Sequence, residues 1–205
     1  MTDDALKKAV LEAALPDAAF DGFTDKVLEK AARAAGVDAS AQARLFPDGA
    51  ISLITFYSHD ADAAMAAALA STDLASMKIR ARIKCAVRTR LDVLAPHKEA
   101  ARRAASALML PGHAGLSMRL MYDSVDAMWR AVGDTSTDFN FYTKRAILAG
   151  VYGATLLRWF NDADKDAAAT NAFLDARIEN VMQFEKLKAG AKKAFANFGA
   201  AKKPA

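Results

Sequence analysis

The sequence predicts an all-α fold that opens with a helix-turn-helix unit. Three observations carry this. Apolar residues recur at spacings of three and four along the chain. Alternating runs of β-branched residues are absent, and Pro and Gly punctuate the periodic segments. In order, Leu15-Pro16 is expected to end a short amphipathic helix, since proline disfavours helical geometry in the residue before it. Phe23, Val27, Leu28, Ala31 and Ala35 mark a second helix, capped by Thr24 and stopped by Gly36. Asp38 or Ser40 opens a short helix to Phe46. Pro47-Asp48-Gly49 then turns the chain into a third, carrying Ile51, Ile54 and Phe56. Short helices with tight turns make residues 1–57 a degenerate helix-turn-helix unit.

Longer helices follow at 60–70, at 73–94 stopped by Pro96, and at 98–110 stopped by Pro111-Gly112. Others are expected at 115–131, 138–160 and 170–183. Gly133 closes the first of these, and Ser136, Thr137 or Asp138 caps the second. Residues 58–183 thus form a helical bundle, and 184–205 a basic amphipathic tail.

With 205 residues, 53% apolar and 25% charged, the chain suits a self-sufficient core that needs neither metal nor disulfide. Cys85 is the only cysteine, which excludes an intrachain bridge and fits a reducing compartment. The apolar stretch 146–157 is too short to span a bilayer and is bracketed by Arg145 and Arg158. The acidic start MTDDALKK lacks a hydrophobic signal core, so neither export signal nor transit peptide is expected.

Charge is unevenly placed. Residues 45–77 hold four Asp and no Lys or Arg, whereas 78–90 and 186–203 are basic. The acidic segment falls where the helix-turn-helix pattern places its DNA-reading helix. Duplex binding requires cations near phosphates, so no nucleic-acid partner is expected and the scaffold is read as retained for another ligand.

Enzymatic chemistry finds no foothold. His59, His97 and His113 lie far apart, and no Glu-x-x-His pair exists to build a di-iron site. No metal and no cofactor are expected. Cys85 lacks a histidine in sequence reach and reads as a core thiol. Asp123 and Asp126, one turn apart, form an acid/base pair in outline, but solvated helix carboxylates are commoner. No glycine-rich phosphate loop occurs, and no catalytic residue is assigned.

Binding residues are better candidates. Leu108, Met109, Met118, Met121 and Val125, with Leu148 and Tyr152, could line a cavity for a flexible apolar ligand, because methionine adapts its shape. Plain core packing explains the same residues equally well. Trp129, beside Met128 and one turn from Asp126, reads either as an exposed interface anchor or as core. Between residues 78 and 90, Lys78, Arg80, Arg82, Lys84, Arg88 and Arg90 surround an apolar face of Ile79, Ile83, Val87, Leu91 and Leu94. A solvated face paired with neighbours is the first reading, a surface for acidic partners or anionic head groups the second. In the tail, Phe184, Leu187, Phe195 and Phe198 share a stripe opposite a basic face that includes Lys192 and Lys193. That is the pattern of a helix lying on an anionic membrane surface, and a last helix docked on its own domain is the other reading.

Residues 108–145, with LMLP (108–111), YDSVDAMW (122–129) and GDTSTDFNFYTKRA (133–146), closely resemble the ubiquinone-biosynthesis accessory family known as coenzyme Q protein nine. FPDGAISLITFYS (46–58), AVRTRL (86–91) and FLDARIENVM (173–182) extend the resemblance over most of the chain. It implies a TetR-like fold without DNA binding. It further implies a peripheral membrane protein that binds an isoprenoid quinone intermediate or another lipid and assists the di-iron hydroxylase acting on demethoxyubiquinone, or other enzymes of that route. The family's partner patch maps onto Asp126, Met128 and Trp129, and its membrane helix onto the tail. A homodimer is expected, cytoplasmic and peripheral at the inner membrane, as in a bacterial form. The competing reading is a TetR-type transcriptional regulator sensing a small apolar ligand. A third, an independent hydroxylase, lacks its metal ligands.

Overall fold

The computed structural model describes residues 2–136, 139–164 and 166–183, the first two of the middle segment by backbone only. The predicted membrane stripe (Phe184, Leu187, Lys192, Lys193, Phe195, Phe198) and two of the candidate caps, Thr137 and Asp138, lie outside the described residues. The described residues are helical and contain no strand.

Helix α1 spans Asp3–Asp21, capped by Thr2, whose hydroxyl accepts from the Ala5 amide at 3.3 Å. It does not end at Pro16. The ring sits on the solvent side, where the Glu12 carbonyl that loses its partner can meet water, while Ala14, Leu15 and Ala18 are buried. Packing against α2 and α6 carries the helix past its breaker. Helix α2 (Asp25–Ala34) starts where Thr24 accepts from the Val27 amide and ends before Gly36, which turns with φ +70°. Asp38 caps α3 (Ala39–Leu45) by accepting from the Ala41 amide at 2.8 Å. The four residues 35–38 join α2 to α3 as a helix-turn-helix.

The turn through Gly49 leads into α4, Ala50–Ala70, a single helix where the sequence suggested a break near residue 57. No Gly or Pro interrupts it, and its core stripe of Ile54, Tyr57, Ala61, Met65 and Leu69 runs on at helical spacing. Ser71 and Thr72 then donate their hydroxyls to the Ala68 carbonyl and Asp73 accepts from the Ser76 amide, so 71–78 is a turn and not the start of the next helix. Helix α5 is therefore Ile79–Leu94, shorter than predicted. Ile79, its first residue, is exposed, and the buried stripe begins at Ile83. Helices α6 (Lys98–Leu108), α7 (Ala114–Ala131) and α8 (Phe139–Phe160) follow, and residues 168–183 form a further helix, α9. At the end of α7, Gly133 (φ +87°) donates to the Arg130 carbonyl and Asp134 to that of Trp129, a Schellman closure.

Helix α4 is the pivot, packing on α1, α2, α5 and α7. One hydrophobic core runs from Val10 in α1 to Ile178 in α9.

Candidate functional site

Between α4, α5, α6, α7 and α8 lies a cavity of about 320 Å³. Its walls are mostly apolar, with Ile54, Leu94, Leu108, Leu120, Met121 and Leu156 among them. Small residues open the space: Ala101, Ala104 and Ala105 on α6 and Gly153 on α8. Met109 and Leu157 also line it although 75% and 57% exposed, and so mark its mouth.

The inner end is polar. Arg90 of α5 is buried and donates through Nε to Asp62 of α4 at 2.6 Å. A second nitrogen donates to the Tyr152 hydroxyl, and the third to Ser58 Oγ at 3.2 Å and Ser124 Oγ at 3.0 Å. Ser124 in turn donates to the second oxygen of Asp62 at 3.1 Å. Burial opposes the charge on Arg90, but Tyr152 and Asp62 outweigh it, and the guanidinium is held above its ordinary pKa. Arg90, Ser58, Ser124 and Tyr152 all line the cavity. Tyr57 lines it too; burial raises its phenol to about 12, and its hydroxyl has no hydrogen-bond partner.

A second polar cluster closes the far end of α7. Arg145 of α8 is buried, donating to Asp126 at 2.6 Å and to Asp134 at 3.3 Å. Lys144 donates to Asp134 and to Ser136, and its ammonium lies 5.4 Å from the centre of the Trp129 ring. Burial pushes the Asp134 carboxyl up, yet Lys144, Ser136 and Arg145 together hold it below its usual value. This cluster pins the start of α8 to the end of α7, and with it the cavity wall that α8 supplies.

A family model described as COQ9 matches residues 114–185, from α7 through α9. The mitochondrial ubiquinone biosynthesis protein COQ9 of Bos taurus is 34% identical over 188 residues, covering 88% of this chain and 59% of its own length. Its counterparts in Rattus norvegicus and Homo sapiens are 33% and 32% identical, again over 88% of the chain. The chain is similar to these COQ9 proteins along most of its length. It spans about three-fifths of the length of the curated COQ9 proteins, 59–60% for these three. A TetR transcriptional regulator from Nitrosomonas europaea superposes with a TM-score of 0.68 at 17% identity, over 85% of this chain and 97% of its own. The fold is TetR-like and all-α.

Within this COQ9-like frame the predicted residues separate. Leu108, Met109, Met121 and Tyr152 come together on the cavity. Val125 and Leu148 are buried in the core but do not line it, and Met118 is 75% exposed. Trp129 requires a correction: it is 9% exposed, and Met128 beside it is fully buried. Val125, Met128, Trp129 and Val132 repeat at i, i+3, i+4 and i+7, which is a core stripe, so neither aromatic nor methionine stands at the surface as an anchor. Asp126 is committed to Arg145 and Arg130.

The basic face of α5 is mostly paired inward: Lys84 and Arg88 reach Asp175 of α9, and Arg82 donates to backbone carbonyls of residues 75, 77 and 132. Cys85 is half-buried against the core. Asp123 faces His59 and Arg119. No group of three metal-capable side chains gathers among the described residues, and none of their helices is long and apolar enough to cross a membrane.

The acidic segment also needs re-siting. The second helix of the helix-turn-helix is α3, not residues 45–77, and its one basic side chain, Arg44, is bound to Asp3 of α1. The cavity's polar end was missed by sequence reasoning. The signal was present: Asp62 and Arg90 both fall on the buried stripes of their helices, and they carry opposite charge.

Proposed function

We propose that the chain is a non-catalytic, lipid-binding accessory protein of ubiquinone biosynthesis, presenting an isoprenoid quinone intermediate at the membrane to a hydroxylase. The observation that carries this reading is the mostly apolar cavity with an exposed methionine and leucine at its mouth and a polar inner end. At about 320 Å³ it is at the small end of ligand pockets, which run roughly 300–1,000 Å³. A ring and the first part of a prenyl tail fit inside, and a longer tail leaves through the mouth. The names of the similar COQ9 proteins support the ubiquinone-biosynthesis part of this reading. The basic tail beyond residue 183 supplies the membrane contact, six lysines against Glu185.

Gently purified protein analysed by native mass spectrometry is expected to carry lipid-sized adducts. A short-chain ubiquinone at 100 times its dissociation constant should stabilise by about 2.7 kcal/mol. In a chain of this size that raises the melting temperature by roughly 5–10 °C. Bare protein with an unmoved melting curve would overturn the reading.

The fold alone favours a second reading, a TetR-type regulator. It requires phosphate-contacting cations on the helix-turn-helix, and the single one on α3 is engaged by Asp3. Mobility-shift assays at physiological ionic strength are expected to show no salt-sensitive, sequence-selective complex. Such a complex would reinstate the regulator.

A further inference from the structure

We propose that the start of α5 is a second membrane contact, in which Lys78 and Arg80 meet anionic lipid head groups and Ile79, between them, enters the interface. The inference rests on the membrane part of the reading above and adds to the tail a contact made by the folded helices.

The structure sorts the six cations of the basic segment. Lys84 and Arg88 pair with Asp175, Arg82 is committed to backbone carbonyls, and Arg90 to Asp62. Lys78 and Arg80 are exposed and bond to no described residue. Ile79 is 52% exposed, while the buried stripe of α5 starts one turn later at Ile83. An apolar side chain thus stands in solvent between two free cations.

These cations do nothing for α5 itself. Lys78 occupies the N-cap without a side-chain bond, a position where Ser, Thr, Asp and Asn are favoured. No acid follows in the first turn, and positive charge at this end opposes the helix dipole. An anionic surface outside the protein offsets that mismatch. The segment is also held ready for such a contact. Arg82 donates to the carbonyls of Ala75, Met77 and Val132, which clamps the turn before α5 to the end of α7.

Its position agrees with that of the tail. Helix α9 starts beside the end of α8, where Thr170 donates to Asp162, and the Asp162 carbonyl accepts from Lys98, just past α5. Five residues later Asp175 meets Lys84 and Arg88, so α9 runs back along α5. Seven residues further, roughly 10 Å at helical rise, Met182 comes about level with Ile79. The basic sequence with its Phe stripe follows directly from residue 184. Charge alone would also suit an acidic protein. An exposed isoleucine flanked by cations, at the end where that sequence begins, favours a lipid surface.

The test is co-sedimentation of the full chain with phosphatidylcholine vesicles, with and without phosphatidylglycerol. Lys78→Gln/Arg80→Gln is expected to bind the anionic vesicles at least tenfold more weakly than wild type, from a factor of roughly five for each cation near such a surface. Ile79→Ser should lose about fivefold. Lys26→Gln/Arg33→Gln, which removes two exposed cations of α2 and so the same net charge, should bind as wild type does. The melting temperature of Lys78→Gln/Arg80→Gln should equal or exceed that of wild type, and a large fall would show that the cations serve the fold and overturn the proposal. Binding of that variant equal to wild type, or an equal loss in the α2 variant, would overturn this contact and leave the tail's intact. Wild type binding neutral vesicles as tightly as anionic ones would overturn the charge recognition. Failure of wild type to bind anionic vesicles would overturn this contact and the membrane part of the reading above together. Polyglutamate bound through Lys78 and Arg80 would in that event assign the patch to an acidic protein.

Discussion

Trp129→Lys is expected to cost at least about 4 kcal/mol of stability, because it removes a buried aromatic and strands an ammonium in its place. The indole packs in the core beside Met128 and Val132, with the Lys144 ammonium 5.4 Å from its ring centre. The substitution therefore brings two cations together over the vacated space, beside an Asp134 already shared by Lys144 and Arg145. For a domain of this length the melting temperature should fall by roughly 8–16 °C, read by circular dichroism. If Trp129 were instead an exposed hot spot, the fold would be untouched and only partner binding would suffer, by about 2 kcal/mol or more. Pull-down of a quinone hydroxylase alone would not separate the two, since an unfolded protein also fails to bind. The melting curve does. A midpoint unchanged from wild type would return Trp129 to the surface.

The same residue shows where a sequence stops being legible. Caps and stops were readable because they are local: Thr24, Asp38, Gly36 and Gly133 act through bonds within a few residues of themselves. The helical class followed from periodicity for the same reason. Pro16 does not end its helix because tertiary packing sustains it, against the neighbouring α2 and against α6 far along the chain. Trp129 sits at a helix end before an exposed loop, and that setting suggested surface. The stripe it shares with Val125, Met128 and Val132 pointed inward and was the stronger signal. Half of the candidate site was visible as a methionine-rich apolar cluster on α6 and α7. The other half was hidden in charge. Arg90 reads as one more cation of a basic helix, and Asp62 as one of four carboxylates in an acidic segment. Their partnership spans 28 residues of sequence and depends on how α4 and α5 are rotated against each other. Helical phase was the available clue, since Ile83, Val87, Arg90, Leu91 and Leu94 occupy one buried face.

That pair yields the other large expected effect. Arg90→Met keeps the length and apolar stem of the side chain but leaves Asp62, itself buried, without its counter-ion. Breaking a buried pair from one side costs about 3–5 kcal/mol, because the remaining charge is desolvated and unpaired. The melting temperature should drop by roughly 6–20 °C. Tyr152, Ser58 and Ser124 lose a donor at the same time, so the inner end of the cavity loosens as the fold weakens. The paired substitution Asp62→Leu with Arg90→Met removes both charges and replaces them with apolar volume. It should lose less than the two single losses added together, by a coupling of about 2 kcal/mol or more. Strict additivity would mean that solvent already screens the pair, and that the cavity's inner end is wetter than its burial implies. With the coupling present, the ion pair is a neutral unit built into the wall. Its contribution is then to hold three hydroxyl-bearing side chains around the cavity without presenting a net charge there.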